Sequence, residues 1–360
     1  MRNWKPVLAL CIVVCLFSLF TACSDTSTAQ EAMPERRSAQ GENVPQAQSV
    51  TTAPTAEPTA TAVPTPEPTP EPTAFTIAWI SDTQAYTAAD SDVFGRMTQW
   101  VSDTQTEYNT VLTVHTGDIV YNAFRDYEWQ NGIVAFANLS EGMRIITCAG
   151  NHDEVPDYNP ATPFLDNRPD TDFDPAHAFD DKGYNYYTTF TAGGIPIIVF
   201  SLAYGMEVGA ADWINEVCNE YADHYAILAM HNYMFLGGYS SVGERMIERV
   251  VKQSPNVRLV VCGHERGMQY MPETLDDDGD GTPDRTVHQM MMNVQDDATN
   301  GVGFLRLLRF DPAADTIEVI TYSPVLDRYG YEVPVGGDRF GGWKILEDAG
   351  LRDFLTPDAA

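Results

Sequence analysis

The chain has 360 residues, 51 of them acidic and 21 basic, for a formal charge of −30. So acidic a surface repels nucleic acid and anionic lipid, which disfavours polyanionic partners and favours small or zwitterionic ones. A hydrophobic content of 44% excludes a wholly disordered chain.

In chain order, Arg2 and Lys5 precede an apolar run from Val7 to Phe20, and Ser18-Leu19-Phe20-Thr21-Ala22-Cys23 resembles a bacterial lipoprotein cleavage box. The run is shorter than the ~20 residues that a membrane span needs. Residues 1–23 are therefore expected to be a signal peptide, with Cys23 lipidated and the protein anchored to a membrane outside the cytoplasm. Residues 24–74 hold almost no large apolar side chain and settle into a Pro, Thr and Glu repeat, Pro64-Thr65-Pro66-Glu67-Pro68-Thr69-Pro70-Glu71-Pro72. Such a segment cannot bury a core and is expected to act as an extended stalk. A sugar- or wall-binding role finds support in this stalk alone.

From Phe75 to Ala360 the chain is long enough for one large domain. Apolar runs predict strands at 75–80, 111–116, 145–149, 195–202, 225–230 and 257–262. Helical stretches fall near 92–107, 126–140, 209–222 and 240–253, and a hairpin-like region is expected at 285–295 and 303–322. This alternation fits two packed sheets flanked by helices.

Short polar stretches follow these apolar runs: Ser81-Asp82-Thr83-Gln84, Gly117-Asp118, Gly150-Asn151-His152-Asp153, the lone His231, and Gly263-His264. Each polar group would sit at the end of a buried strand, where ligands gather in α/β sheets. Together they predict a dinuclear metal site. A carboxylate such as Asp118 can give one oxygen to each of two ions, while imidazole, carboxylate and amide donors suit Mn, Fe or Zn. His152 reads instead as a general acid, with Asp153 beside it to orient and charge the ring.

On these motifs the chain resembles the calcineurin-like metallophosphoesterase superfamily, whose blocks run D-x-H, G-D, G-N-H-[DE], a lone His and G-H-x-H, over roughly residues 75–325. The resemblance implies a four-layer α/β/β/α sandwich. It also implies Asp82 on the first metal, Asp118 bridging, Asn151, His231 and His264 on the second metal, and His152 assisting the leaving group.

Two positions depart from the pattern, Gln84 and Arg266 standing where the family has His. Gln84 is a weaker, uncharged donor, and a guanidinium has no lone pair to offer. One tight and one weak site are expected, as in a D-x-Q branch of the superfamily. Arg266 has two open roles, gripping a substrate phosphate or filling the first-metal position as a fixed cation. The implied activity is hydrolysis of a small phosphomonoester or phosphodiester by a metal-held hydroxide. The competing reading is a non-catalytic binding or scaffold module that keeps one structural metal.

Asp276, Asp278, Asp280 and Asp284 form a separate D-x-D-x-D-G-x-x-D turn with calcium-loop spacing, although Val287 stands where a helix-loop-helix calcium site carries Glu. The segment from Asp153 to Asp181 is expected to loop over the site. Cys148, Cys218 and Cys262 read as buried hydrophobes, and a 148–262 disulfide is conceivable outside the cytoplasm. His115, His177, His224 and His288 read as structural, with His115, two residues before Gly117, the nearest to an exception.

Overall fold

The computed structural model describes residues 72–89, 91–153, 163–169, 171, 173–179, 182–205, 207–295, 303–330 and 341–356. The expected signal peptide, Cys23 and nearly all of the Pro/Thr/Glu segment lie outside this set. So does 154–162 of the loop expected over the site.

In chain order the strands begin with β1 (Phe75–Ile80), β2 (Thr110–His115), β3 (Arg144–Thr147), β4 (Tyr186–Ala192), β5 (Ile195–Leu202), β6 (Tyr225–Met230), β7 (Met234–Phe235) and β8 (Gly238–Tyr239). They continue with β9 (Val257–Cys262), β10 (Gly267–Tyr270), β11 (Glu273–Leu275), β12 (Arg285–Asn293), β13 (Leu305–Asp311), β14 (Thr316–Ser323), β15 (Arg328–Tyr329) and β16 (Trp343–Leu346). One sheet has the order β15-β14-β13-β1-β2-β3 with β16 on β14, and the other β10-β12-β9-β6-β5-β4 with β11 on β12. Strands β1, β2 and β3 run parallel, as do β5, β6, β9 and β12.

The period-two alternation of side chains divides each central strand between two apolar layers. Phe75, Ile77 and Trp79 of β1 meet Ile197 and Val199 of β5, Ile227 and Ala229 of β6 and Leu259 and Val261 of β9 between the sheets. On the outer face of the first sheet, Ala78 and Ile80 pack beneath the helices Val93–Asp103 and Asp126–Phe136, which present Phe94, Met97 and Val101 and then Trp129 and Phe136. Ile198, Phe200 and Leu202 do the same for the second sheet, under Ile214 and Val217 of the helix Ala211–Glu220 and under Met246. The result is the four-layer sandwich with two mixed sheets between helices. Burying one such side chain fully contributes about 1.5–3 kcal/mol, so strands buried on both faces hold their ends firmly in place.

The structure corrects the sequence reading in three places. Residues 285–295 and 303–322 do not pair with each other: β12 lies between β9 and β10 in the second sheet, while β13 and β14 form a hairpin in the first. The stretch near 92–107 breaks at Thr104 into Val93–Asp103 and Gln105–Tyr108. The helix expected at 240–253 is a short α-helix, Ser241–Met246, that widens into a π turn over Ile247–Val251. Among the described residues no helix is long and apolar enough to cross a membrane.

Candidate metal centre

The parallel strands of both sheets deliver their carboxyl ends to one edge. Asp82, Asp118 and His264 lie two or three residues beyond β1, β2 and β9, and all three adopt left-handed backbone, with φ of 54°, 58° and 69°. For a residue with a side chain that conformation costs about 1–3 kcal/mol, so the surrounding structure must enforce it. The peptide of Asp82 donates to the Gly117 carbonyl (3.0 Å), and within the second sheet Gly263 donates to the His231 carbonyl (3.0 Å). Two glycines are required by close approach. A Cβ on Gly150 would stand 2.2 Å from Asp118 Oδ1, and one on Gly263 would stand 2.2 Å from both Asp82 Oδ2 and Ser81 Oγ.

Four donor atoms converge at this edge. His231 Nδ1 donates to the Thr116 carbonyl (2.7 Å), which turns Nε2 inward. There Nε2 lies 3.1 Å from Asn151 Oδ1, 3.3 Å from Asp118 Oδ1 and 3.2 Å from His264 Nδ1. In the neutral imidazole these are lone pairs facing one another, an arrangement that either a proton on Nε2 or a metal cation in its place stabilises. The donor set therefore fits a divalent ion, and Asp118, His231 and His264 alone place their ligand atoms within 4.8 Å of one another.

Beside this cluster lies Asp82, fully buried. Its carboxylate accepts from Ser81 Oγ (2.5 Å), from the His264 peptide (3.2 Å to each oxygen) and from Asn293 Nδ2 (2.8 Å). Gln84 Nε2 donates to Asp118 Oδ2 (2.8 Å), leaving Asp118 Oδ1 to the His231 side. Asn293 escaped the sequence reading because its proximity comes from strand register. Met291 on β12 pairs with Cys262 on β9, so two residues further along each strand Asn293 meets His264.

His152 and Asp153 divide their roles differently from the sequence expectation. Asp153 does not orient the His152 ring; its carboxylate accepts from the peptides of Ile119 (2.7 Å), Val120 (3.0 Å) and Gly150 (3.0 Å). It thus clamps the loop after β2 to the loop after β3. The ring of His152 is held instead by the Tyr121 carbonyl, which accepts from Nδ1 at 2.7 Å, and by the Tyr121 ring at 4.9 Å. His115 is a brace beneath the site, with Nδ1 accepting from Gly117 N (3.2 Å) and Nε2 reaching Thr83 Oγ1 (3.1 Å).

Arg266 is exposed and lines a cavity of about 490 Å³ with Phe235, Leu236, His264 and Glu265. An exposed side chain does not fill the buried corner beside Asp82, so the fixed-cation role is set aside. Away from the centre, Asp276, Asp278 and Asp280 converge, while Asp284 accepts from the peptides of Asp277 and Asp278 and closes the turn from the other side. Cys148, Cys218 and Cys262 are buried thiols outside any disulfide, Cys148 between the sheets and Cys262 on the outer face of the second, so the expected 148–262 disulfide does not form.

The electrostatics follow from burying so much acid. Desolvation pushes Asp82 up to about 8 and Asp153 up to about 7, in each case reinforced by the charge on Asp118. Burial works against charge on His231, yet the Asp118 and Asp82 carboxylates carry it up to about 10. Burial and the neighbouring His231 bring His264 down to about 4, so its imidazole is neutral at pH 7.

Comparison with known proteins points the same way. The profile of the family described as calcineurin-like phosphoesterase matches residues 75–266. The uncharacterized protein YvnB of Bacillus subtilis is 34% identical over 271 residues, which cover 74% of this chain but only 21% of that protein. The chain thus spans about a fifth of that relative's length. Among solved structures, a purple acid phosphatase from yellow lupin (Lupinus luteus) seeds is similar over 82% of this chain and 57% of its own, at 10% identity and a TM-score of 0.50. A dimetal phosphatase from Danio rerio is similar over 78% of this chain and 100% of its own, at 11% identity and a TM-score of 0.48. At 10% identity the likeness to the lupin enzyme bears on the fold alone.

Two outcomes are expected. A metal that takes the His231 lone pair displaces the proton held there, so the first equivalent of Zn²⁺ bound at pH 7.5 should release about one proton. Its affinity should weaken towards acid and strengthen as pH rises towards 10. Calorimetry in buffers of different ionisation enthalpy reads this directly, and uptake without proton release would contradict the geometry. Gly263→Ala should lose about 2 kcal/mol in urea unfolding, since overpacking here displaces the Asp82 carboxylate.

Proposed function

The chain belongs to the calcineurin-like phosphoesterase family, and on that premise we propose that it is a metal-dependent hydrolase that cleaves a small phosphomonoester or phosphodiester outside the cytoplasm. The observation that carries this reading is the meeting of Asp118 Oδ1, Asn151 Oδ1, His231 Nε2 and His264 Nδ1 at one point, with His152 alongside.

In this reading Asp118, Asn151, His231 and His264 hold one ion of the Mn, Fe or Zn type, and Asp82, Asp118 and Gln84 hold a second more weakly. Bound there, the ions supply an activated water at neutral pH and offset the charge of the phosphate. The protein's own part is positioning and proton transfer. Protonated His152 keeps Nδ1–H on the Tyr121 carbonyl, which fixes the ring, and gives its Nε2 proton to the departing oxygen. Asp153 keeps the two loops in register so that the peptide of His152 can donate to Asp118 Oδ1 at 2.9 Å. Arg266, exposed at the mouth, offers a planar fork to the phosphate. Tyr121 and Phe124, 55% and 63% exposed in the loop after Asp118, offer apolar surface to the organic part of the ester.

Tethering by a lipid on Cys23 and a stalk over 24–74 completes the proposal, supported by the cleavage-box sequence and the Pro/Thr/Glu repeat. The Asp276, Asp278 and Asp280 turn is proposed as a structural Ca²⁺ site, supported by the convergence of its carboxylates. Its test is a Ca²⁺-dependent rise in melting temperature that Asp278→Ala removes.

Purified protein loaded with Mn²⁺ should hydrolyse chromogenic phosphoesters, and Asp118→Asn should cut kcat/KM by at least about 100-fold because both ions share that carboxylate. An unchanged rate would assign the activity to a contaminant. His152→Ala should cost about 100-fold on alkyl esters and only a few-fold on p-nitrophenyl esters, whose leaving group needs no proton. Equal losses on both would remove His152 from the acid role. Arg266→Ala should raise KM and weaken inhibition by free phosphate, with metal content unchanged.

A further inference from the structure

The corner beside Asp82 has lost both imidazoles that its family places there, at Gln84 and Arg266, yet it contains two buried amide groups held in one orientation. Asn293 Nδ2 donates both to Asp82 Oδ1 and to the His264 carbonyl, each at 2.8 Å. Gln84 Nε2 donates to Asp118 Oδ2 at 2.8 Å. Neither amide can turn over, because that would set its oxygen against a carboxylate or a carbonyl.

The consequence falls on the opposite ends of the two amides. Gln84 Oε1 and Asn293 Oδ1 are both buried, and among the described residues no donor reaches either of them. An amide separates its N and O by about 2.3 Å, so each bare oxygen lies within about 5 Å of the carboxylate oxygen that its own nitrogen grips. Buried oxygens without a donor are rare in folded proteins and mark a missing partner. Two of them flank the paired carboxylates Asp82 and Asp118.

We propose that Asn293 is a ligand of the first metal, and that Asp82, Asp118, Gln84 and Asn293 rebuild that position as an all-oxygen site for a hard divalent cation such as Mn²⁺ or Mg²⁺. This proposal rests on the reading of the edge as a metal centre. The second position keeps two imidazoles and takes a softer ion such as Zn²⁺, because nitrogen ligands favour the later transition metals and oxygen ligands the harder ions. The protein thereby carries an unlike pair of ions. The loss of His at position 84 is answered by an amide from a strand that the family's motifs do not include, and Arg266 is released to the surface.

The test counts ions in the intact protein. Wild type, Asn293→Ala, Asn293→Asp and His231→Ala are each equilibrated with a Zn²⁺ and Mn²⁺ mixture, desalted and assayed by elemental analysis, with electron paramagnetic resonance titration of Mn²⁺ beside it. Wild type should hold one Zn²⁺ and, at higher concentration, one Mn²⁺. Asn293→Ala should keep the Zn²⁺ while its Mn²⁺ affinity drops at least tenfold, and Asn293→Asp, which restores a charged oxygen, should bind Mn²⁺ at least as tightly as wild type. His231→Ala should lose Zn²⁺ first. Undiminished Mn²⁺ binding in Asn293→Ala, or two Zn²⁺ ions held with equal affinity in wild type, would overturn the proposal and leave Asn293 as a brace for Asp82. Failure of wild type to bind any ion would overturn the metal-centre reading itself, an outcome distinct from either.

Discussion

Everything at the functional edge depends on three side chains held where backbone sterics resist them. Asp82, Asp118 and His264 occupy the left-handed region, and each turns sharply just past a strand that is buried on both faces. The turn is what lets residues from two different sheets converge, since side chains that continued along the strands would diverge with the sheet twist. A local cost of about 1–3 kcal/mol per residue persists only where packing over-determines the backbone, and here the strands beneath are buried to their last residues. The two sheets must also approach closely at this edge. Gly263 permits it by lying against Asp82 of the other sheet, while Gly150 lets the loop after β3 lie against Asp118 within the first sheet.

On that frame the donors are oriented by backbone carbonyls rather than by further side chains. Thr116 O fixes His231 and Tyr121 O fixes His152, both through Nδ1, so both imidazoles present Nε2. A carbonyl cannot give up or take a proton, which makes it a stable reference for choosing a tautomer. Asp153 serves the same end one step removed. By accepting three peptide N–H groups it ties the loop carrying Asp118 to the loop carrying Asn151, so the Asp118 carboxylate and the Asn151 amide oxygen keep their spacing.

Much of this was legible in the chain. Strands 75–80, 195–202, 225–230 and 257–262 coincide with the apolar runs because sheets covered on both faces leave uninterrupted hydrophobic sequence. The second-site residues could be read because each follows such a run at short, fixed spacing. What escaped depends on long-range register. Asn293 ends a strand whose place beside β9 cannot be inferred from residues 285–293, and the same ignorance merged β12 with the β13 and β14 hairpin. Asp153 was misassigned because adjacency in sequence suggested contact with His152, whereas the tight turn at 150–153 directs its carboxylate back towards backbone. The oxygen of Gln84 was a reasonable donor on composition alone, but its direction follows from the grip of Asp118 on the nitrogen, which is a fact of packing.

The acidity of the chain and the chemistry of the site are linked. Asp82, Asp118 and Asp153 are all buried, and the charges of the first two both act on His231. Desolvated carboxylates in such number need positive charge within reach. A chain with 21 basic residues to set against 51 acidic ones has few to spare, and Arg266, two residues from His264, is at the surface. Divalent cations from solution are then the natural counter-charge, and the −30 field around the protein concentrates them. The same field repels a phosphoester. In the proposed function, ions held among these carboxylates would offset that field locally, beside His152 and Arg266. On that proposal the acidic surface disfavours polyanions at long range and makes the approach of a small phosphoester depend on the metals being in place.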